Sequence, residues 1–319
     1  MSTIDEKTLL KVEKLSNKFK NSGQDLGAYL DGLLYDRYLT YWDYIHLDTL
    51  LSLQIPKTHF PDEKIFIGYH QITELYFKLI IHEIKQIVDD KLQQADFFRK
   101  KLERINRYFR ILTDSFDVMV MGMDREQFLK FRMSLLPASG FQSAQFRMIE
   151  MYCTPLINLV HPSVRNDFSE NDSIEKLFEN IYWKKGGIDL ETKEKTLTLK
   201  QFEYRYTPRF IRIANEMVNS TLYHKYIQLP EKEKKNEQLI KELRNLDVTV
   251  NVNWPLMHMG AAHRYLRKEG KAVKATGGTN WKEFLPPSFQ KVYFFPNLWT
   301  QIEKEEWGKE WVTHTFNTK

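Results

Sequence analysis

The chain has one cysteine, Cys153, in 319 residues. An internal disulfide is therefore excluded, and a lone thiol suits a reducing cytoplasm, the expected location. Glycine (13 residues) and proline (11) are scarce. Barrels and sandwiches need turn residues at short intervals, so this scarcity favours helices. No apolar run approaches the ~20 residues that cross a bilayer. The opening MSTIDEKTLLKVEKL lacks the apolar stretch of a secretory leader, and no membrane is expected as a partner. Net charge is only +5. Lysine-rich runs at Glu231–Lys235 and Lys268–Lys274 are broken by acids or glycine. They read as solvated faces, and no nucleic acid is expected. CxxC, HExxH, GxSxG and a GxGxxG after a strand are all missing. Zinc-thiolate, zinc-protease, serine-hydrolase and dinucleotide chemistry thus have no foothold.

What is present is apolar and periodic. Hydrophobic residues make up 42% and aromatic ones 14%, enough for a sizeable core. Ser2 or Thr3 can cap an amphipathic helix running to about Phe19. Tyr41, Tyr44, Ile45, Leu47, Leu50 and Leu51 recur at helical spacing within Tyr35–Gln54. Ile65, Tyr69, Ile72, Tyr76, Leu79 and Ile80 predict a long helix from about Lys64 to Asp90. Phe98, Leu102, Ile105, Phe109 and Leu112 predict another over Ala95–Val120. Shorter helices are expected at Arg125–Leu136, Gln142–Met151, Ser173–Trp183, Leu197–Asn219, Pro230–Leu246 and Trp254–Arg267. No stretch reads as a strand pair. The expected fold is one all-α domain over residues 1–319, a helical bundle elaborated with loops.

Several constellations can carry chemistry. In Phe66–Lys78, FIGYHQITELYFK, helical spacing stacks Phe66, His70 and Glu74 beside the apolar face. His70 can hydrogen-bond an indole or phenol, or act as a base near neutral pH. A lone helical histidine is, however, more often a satisfied core group. In Phe131–Glu150, FRMSLLPASGFQSAQFRMIE, Arg132 precedes a turn of small residues and can grip a carboxylate through two parallel hydrogen bonds. In WPLMHMGAAHR, His258 and His263 are five apart, a spacing that points them in different directions and argues against a shared metal. One of them alone, among methionine, glycine and alanine, suits an axial haem ligand, although a Met/Ala-rich core helix reads the same way. Thr276-Gly277-Gly278-Thr279 can bind an anion or be a plain surface turn. The aromatic cluster Tyr38, Tyr41, Trp42 and Tyr44 suits a core or interface better than a ligand box.

Taken together, Phe66–Lys78, Phe131–Glu150 and the Trp254–Arg264 segment followed by TGG resemble the motifs of tryptophan 2,3-dioxygenases, in the same order from Tyr41 to Gly278. The resemblance implies an all-α fold of the indoleamine/tryptophan 2,3-dioxygenase kind, with a haem b pocket between helices. It implies a homotetramer, a dimer of dimers, that inserts both atoms of O2 into the indole C2–C3 bond of L-tryptophan to give N-formyl-L-kynurenine. His258 falls where the family has its proximal iron ligand. His70 falls on the distal histidine that hydrogen-bonds the indole nitrogen, with orientation its first role and base its second. Arg132 matches the clamp for the substrate carboxylate, and Thr276 the contact to substrate ammonium and carboxylate. Phe66 and Phe128 match walls of the indole pocket. Ser139 and Gly140 match positions over the haem edge. Tyr41, Tyr44 and Ile45 match residues given by a neighbouring subunit, so the segment 1–60 is expected to reach across to one. The other readings are a haem-dependent monooxygenase or hydroxylase of a tryptophan or tyrosine derivative, and a non-catalytic haem- or tryptophan-binding homologue.

The sequence departs from the family pattern in places. Pro255 stands where an arginine is usual, and the expectation is that it occupies the first turn of its helix with Asn253 as cap. The loop Ala275–Trp281 differs, the stretch between His263 and Thr276 is longer, and Tyr76 stands where tryptophan is usual.

Overall fold

In a computed structural model of the chain, the described residues are 4–36, 40–91, 94–135, 142–189, 192–268, 271–272 and 285–309. They are all-α. The one ladder among them is a two-residue pair, β1 (Arg267–Lys268) with β2 (Lys271–Ala272), antiparallel in the register Arg267↔Ala272. The chain divides into two compact units, Met1–Gln54 and Ile55–Lys319.

The first unit holds α1 (Glu6–Asn21), α2 (Leu26–Tyr35), α3 (Tyr41–Tyr44) and α4 (Leu47–Leu51). The expected first helix is present. Its cap is Asp5, whose carboxylate accepts the Thr8 amide at 3.0 Å; Ser2 and Thr3 lie outside the described residues. The helical spacing within Tyr35–Gln54 belongs to two short helices, α3 and α4, separated at His46, whose φ of 52° is left-handed. α2, with two glycines in its sequence, was not anticipated. None of the four helices buries a residue.

The second unit begins with a loop tied to α5 (Asp62–Asp89): the buried Glu63 carboxylate accepts the amides of Lys57 at 2.8 Å and Thr58 at 2.7 Å. α6 (Ala95–Ser115) buries Phe98, Leu102, Ile105, Phe109 and Leu112 as expected. Each such side chain contributes about 1.5–3 kcal/mol of apolar burial. The helix stops short of Val120, and α7 (Asp117–Val120) follows separately. α8 (Arg125–Phe131) tightens into a 3₁₀ turn at Arg132–Leu135. α9 (Ala144–Cys153) is capped by Ser143, whose hydroxyl accepts the Phe146 amide at 3.2 Å. Then come α10 (Leu156–Leu159), α11 (Ile174–Glu179), α12 (Leu197–Glu216), α13 (Leu222–Ile227), α14 (Glu231–Lys234), α15 (Glu237–Val248) and α16 (Trp254–Leu266). α5 packs on α6 and α9, α6 on α15, and α12 on α9.

Two further sequence expectations need correction. On α5 the buried stripe is Tyr69, Thr73, Phe77, Ile80, Ile84 and Ile87, whereas Ile65, Ile72 and Leu79 are exposed. The helix is apolar on more than one side, and periodicity alone does not say which side the chain itself covers. At Pro255, Asn253 is no cap. α15 and α16 are joined by a π turn, Thr249–Asn253, and the backbone stays helical through Trp254. Proline is tolerated because the wider turn, closed by the Trp254 amide on the Thr249 carbonyl, relaxes the ladder that its ring would otherwise break.

Candidate active site

α5 presents Phe66, His70 and Glu74 one turn apart, as expected. The Phe66 and His70 rings lie 4.0 Å apart, and His70 Nδ1 is 2.7 Å from the Phe66 carbonyl. A carbonyl only accepts, so Nδ1 carries the proton and donates it, leaving Nε2 with a free lone pair. His70 is exposed by surface area. Yet enough protein surrounds it to lower its pKa, with the Phe66 carbonyl and Glu74 opposing the shift. The two observations agree if the ring lines an open hollow rather than the outer surface.

His258 on α16 repeats the pattern. Its Nδ1 is 2.9 Å from the Trp254 carbonyl, so Nε2 is again the free nitrogen. Burial pulls its pKa down to about 4; the Trp254 bond opposes this, and His70 and Arg147 add to it. The ring packs 4.7 Å from Phe116 and 4.8 Å from Trp254. Phe116 stands 5.9 Å from Tyr69, which meets His70 edge-on at 6.2 Å. The two histidines are thus linked through Tyr69 and Phe116, and His70 is among the groups that lower the pKa of His258. Ala261 and Ala262, half-buried, flank the His258 face one turn on. His263 lies about 140° further round the same helix.

The aromatic wall is assembled from three helices. Phe66 is 6.2 Å from Phe128 and 5.9 Å from Phe131. Tyr265, which sequence reasoning passed over, packs 4.6 Å from Phe128 and donates its hydroxyl to the Met123 carbonyl at 3.3 Å. Arg132 follows Phe131 directly and is buried (7% exposed), which lowers the pKa of its guanidinium. Gln145 joins α9 to α5 by donating to both the carbonyl and the carboxylate of Glu74 at 2.8 Å.

Not every expected residue comes to this place. Ser139, Gly140 and Thr276 lie outside the described residues. Tyr41 and Tyr44 belong to the first unit, both 72% exposed, with Ile45 closing α3. Sequence reasoning also missed Phe116 and a buried group formed by Arg147, Glu150 and Tyr182. There Arg147 reaches Glu150 at 3.0 Å and the Tyr182 hydroxyl at 2.9 Å. A separate cleft of about 60 Å³, bordered by Met151, Thr154, Glu170, Met217 and Thr221, includes none of the residues above.

Comparison with known proteins agrees with the motif reading. The family described as tryptophan 2,3-dioxygenase matches residues 34–158, which include Phe66, His70, Phe128 and Arg132 but not His258. A protein of Herpetosiphon aurantiacus named tryptophan 2,3-dioxygenase is 32% identical over 270 residues, 82% of this chain and 96% of its own length. One from Ruegeria sp. with the same name is 41% identical over 139 residues, 43% of this chain and 47% of its own. One from Bacillus thuringiensis is 42% identical over 124 residues, 37% and 43%. With nearly the whole length of the Herpetosiphon relative covered, the chain belongs to the tryptophan 2,3-dioxygenase family.

Proposed function

We propose that this protein is a haem-dependent dioxygenase that inserts both atoms of O2 into the indole C2–C3 bond of L-tryptophan, giving N-formyl-L-kynurenine. Family membership supports the reaction. The observation that carries the assignment of residues is the shared tautomer of His70 and His258.

The residues fit haem b. His258 offers what iron requires of an imidazole: a neutral ring, a lone pair on Nε2, and an Nδ1–H fixed by a carbonyl, which orients the ring and raises its basicity. Ala261 and Ala262 beside it leave room for a flat macrocycle. Ser139 and Gly140 would lie over its edge. When bound, the haem supplies the open coordination position at which O2 is activated.

The other residues bind and orient. His70 accepts at Nε2, so it is matched to a donor, and the indole N–H is that donor; with Nδ1–H already given to Phe66, it has no proton to donate from Nε2. Phe66 and Phe128 enclose the indole faces. Arg132, desolvated at the end of α8, grips the substrate carboxylate, and Thr276 meets the ammonium and carboxylate. Holding the zwitterion at one end and the indole N–H at the other fixes which ring edge meets O2.

Tyr41, Tyr44 and Ile45 complete a neighbouring subunit's pocket in a homotetramer built as a dimer of dimers. The exposed aromatic rings of a unit whose helices bury nothing support that role. Among the described residues no helix is long and apolar enough to cross a membrane. With the lone Cys153, this supports a cytoplasmic enzyme without membrane or nucleic-acid partners.

The test is turnover of L-tryptophan by the haem-loaded, reduced protein under isotopically labelled O2. Two labelled oxygens in N-formylkynurenine are expected. One labelled oxygen in a hydroxylated product would make it a monooxygenase, and an ordinary haem spectrum without turnover would make it a binding protein.

A further inference from the structure

The π turn between α15 and α16 has a geometric consequence for His258. Leu239, Leu243, Leu246 and Val250 are all fully buried, and at about 100° per residue they form one stripe along the helix. If α15 continued as a regular α-helix, His258 would lie about 100° away from that stripe. A π turn adds one residue to the helical count and turns everything after it back by about one residue's rotation. With Thr249–Asn253 in that form, His258 returns to the stripe, together with the buried Trp254 and Tyr265.

The turn is braced. Asp247, fully buried, has both carboxylate oxygens engaged. Oδ1 accepts Asn251 Nδ2 at 2.7 Å and the Phe294 amide at 2.8 Å. Oδ2 accepts the Phe295 amide at 3.1 Å and Trp299 Nε1 at 2.7 Å. Asn251 sits inside the π turn, so the carboxylate ties that turn to the 294–299 segment. This segment is itself held from α9 by the Thr154 hydroxyl on the Phe294 carbonyl at 2.8 Å. Pro255 acts in the same direction. It has no N–H with which to restore the i→i−4 bond to Asn251.

We propose that the π turn, braced by Asp247 through Asn251, is the positioning device that aims His258 at the haem iron. Asp247 and Asn251 are positioning residues in this scheme and touch neither substrate nor cofactor. The inference rests on the reading of His258 as the iron ligand.

The test uses the haem-loaded full chain, with two readouts that a merely structural role would not move together: the iron–histidine stretching band of the ferrous protein, and the rate of haem transfer to an acceptor apoprotein. Asn251→Ala and Asp247→Asn are expected to shift the band and to weaken haem retention by about tenfold to a hundredfold, as loss of a ligand's supporting partner does. Deletion of Val252, which removes the extra residue, is expected to abolish the band. Trp299→Phe removes a donor from the far side of the carboxylate and is expected to lower the melting temperature with the band in place. If Asp247→Asn does not fold, Asn251→Ala decides. A wild-type band and haem-transfer rate in folded Asn251→Ala would overturn the proposal. A wild-type band in His258→Ala would overturn the ligand reading itself, and the inference with it.

Discussion

His70 and His258 make the same local bond in different surroundings. Each donates Nδ1–H to the carbonyl four residues back, at 2.7 and 2.9 Å. Around His258 stand Phe116 and Trp254, no acid is among the groups that move its pKa, and that pKa falls to about 4. Around His70 stand a tilted Phe66 ring and, one turn on, Glu74, which favours the charged ring, and the side chain is exposed. The backbone bond fixes which nitrogen is free; the neighbours decide what that nitrogen is for. A desolvated, uncharged imidazole suits a metal, and an accessible one beside an aromatic wall suits a substrate N–H. The largest expected effect breaks the comparison at this point. His258→Ala should abolish stable haem binding, read as loss of the haem absorption band. His70→Ala should load haem normally and lower kcat/KM for tryptophan. Haem loss in both variants would mean that the two roles are not separate.

In the proposed pocket Arg132 extends the contrast to the far end of the substrate. Arg132→Ala should cost about 2–4 kcal/mol in kcat/KM, because a desolvated carboxylate loses its charged partner. The loss should appear mainly as a raised KM, with haem content unchanged. A KM equal to wild type would remove Arg132 from the pocket.

Titration separates the two rings further. The folded-state pKa of His258 is depressed from 6.5 to about 4. The unfolded chain therefore takes up a proton that the folded one refuses. The stability associated with the neutral ring is complete above pH 6.5 and is lost as pH falls towards 4, on the order of 3 kcal/mol for a shift of this size. Asp247 works the other way: burial raises its folded pKa from 3.8 to about 6, a penalty present above pH 6 and relieved as pH falls. The wild-type profile mixes the two. The difference in unfolding free energy between wild type and His258→Ala in the haem-free protein cancels Asp247. It should shrink steadily from pH 7 to pH 4, and a difference independent of pH would contradict the buried neutral ring.

The residues that speak in the sequence do so through different physics. The stripe of α6 was legible because one face is apolar and the other charged. The true buried face of α5 was not, because Ile65, Ile72 and Leu79 are as apolar as the residues the chain covers. His70 over Phe66 followed from helical spacing alone. His258 and Arg132 did not; their spacing and charge have bland explanations, and only the longer motifs around them singled them out. The π turn was illegible for a more basic reason. TVNVN has no residue that demands a wider turn, and Pro255 reads equally well as the start of a new helix. The turn is held by tertiary bonds from Asp247 to Asn251 and to residues 294–299, which no local pattern encodes.

The smallest effects probe two faces of one helix. Ala262 lies one turn from His258 on nearly the same face. Ala262→Leu should crowd that face and weaken haem binding by about 1–3 kcal/mol, the usual cost of overpacking. Gly260 lies about 160° round from His258, and a Cβ built there meets nothing within 4 Å. Gly260→Ala should therefore raise the stability of the haem-free protein by about 0.5–1 kcal/mol through helix propensity and leave haem affinity alone. The pair is informative because both substitutions add carbon to a small residue beside the same histidine. If Gly260→Ala weakened haem binding as much as Ala262→Leu did, the iron would not lie on the face to which the π turn returns His258.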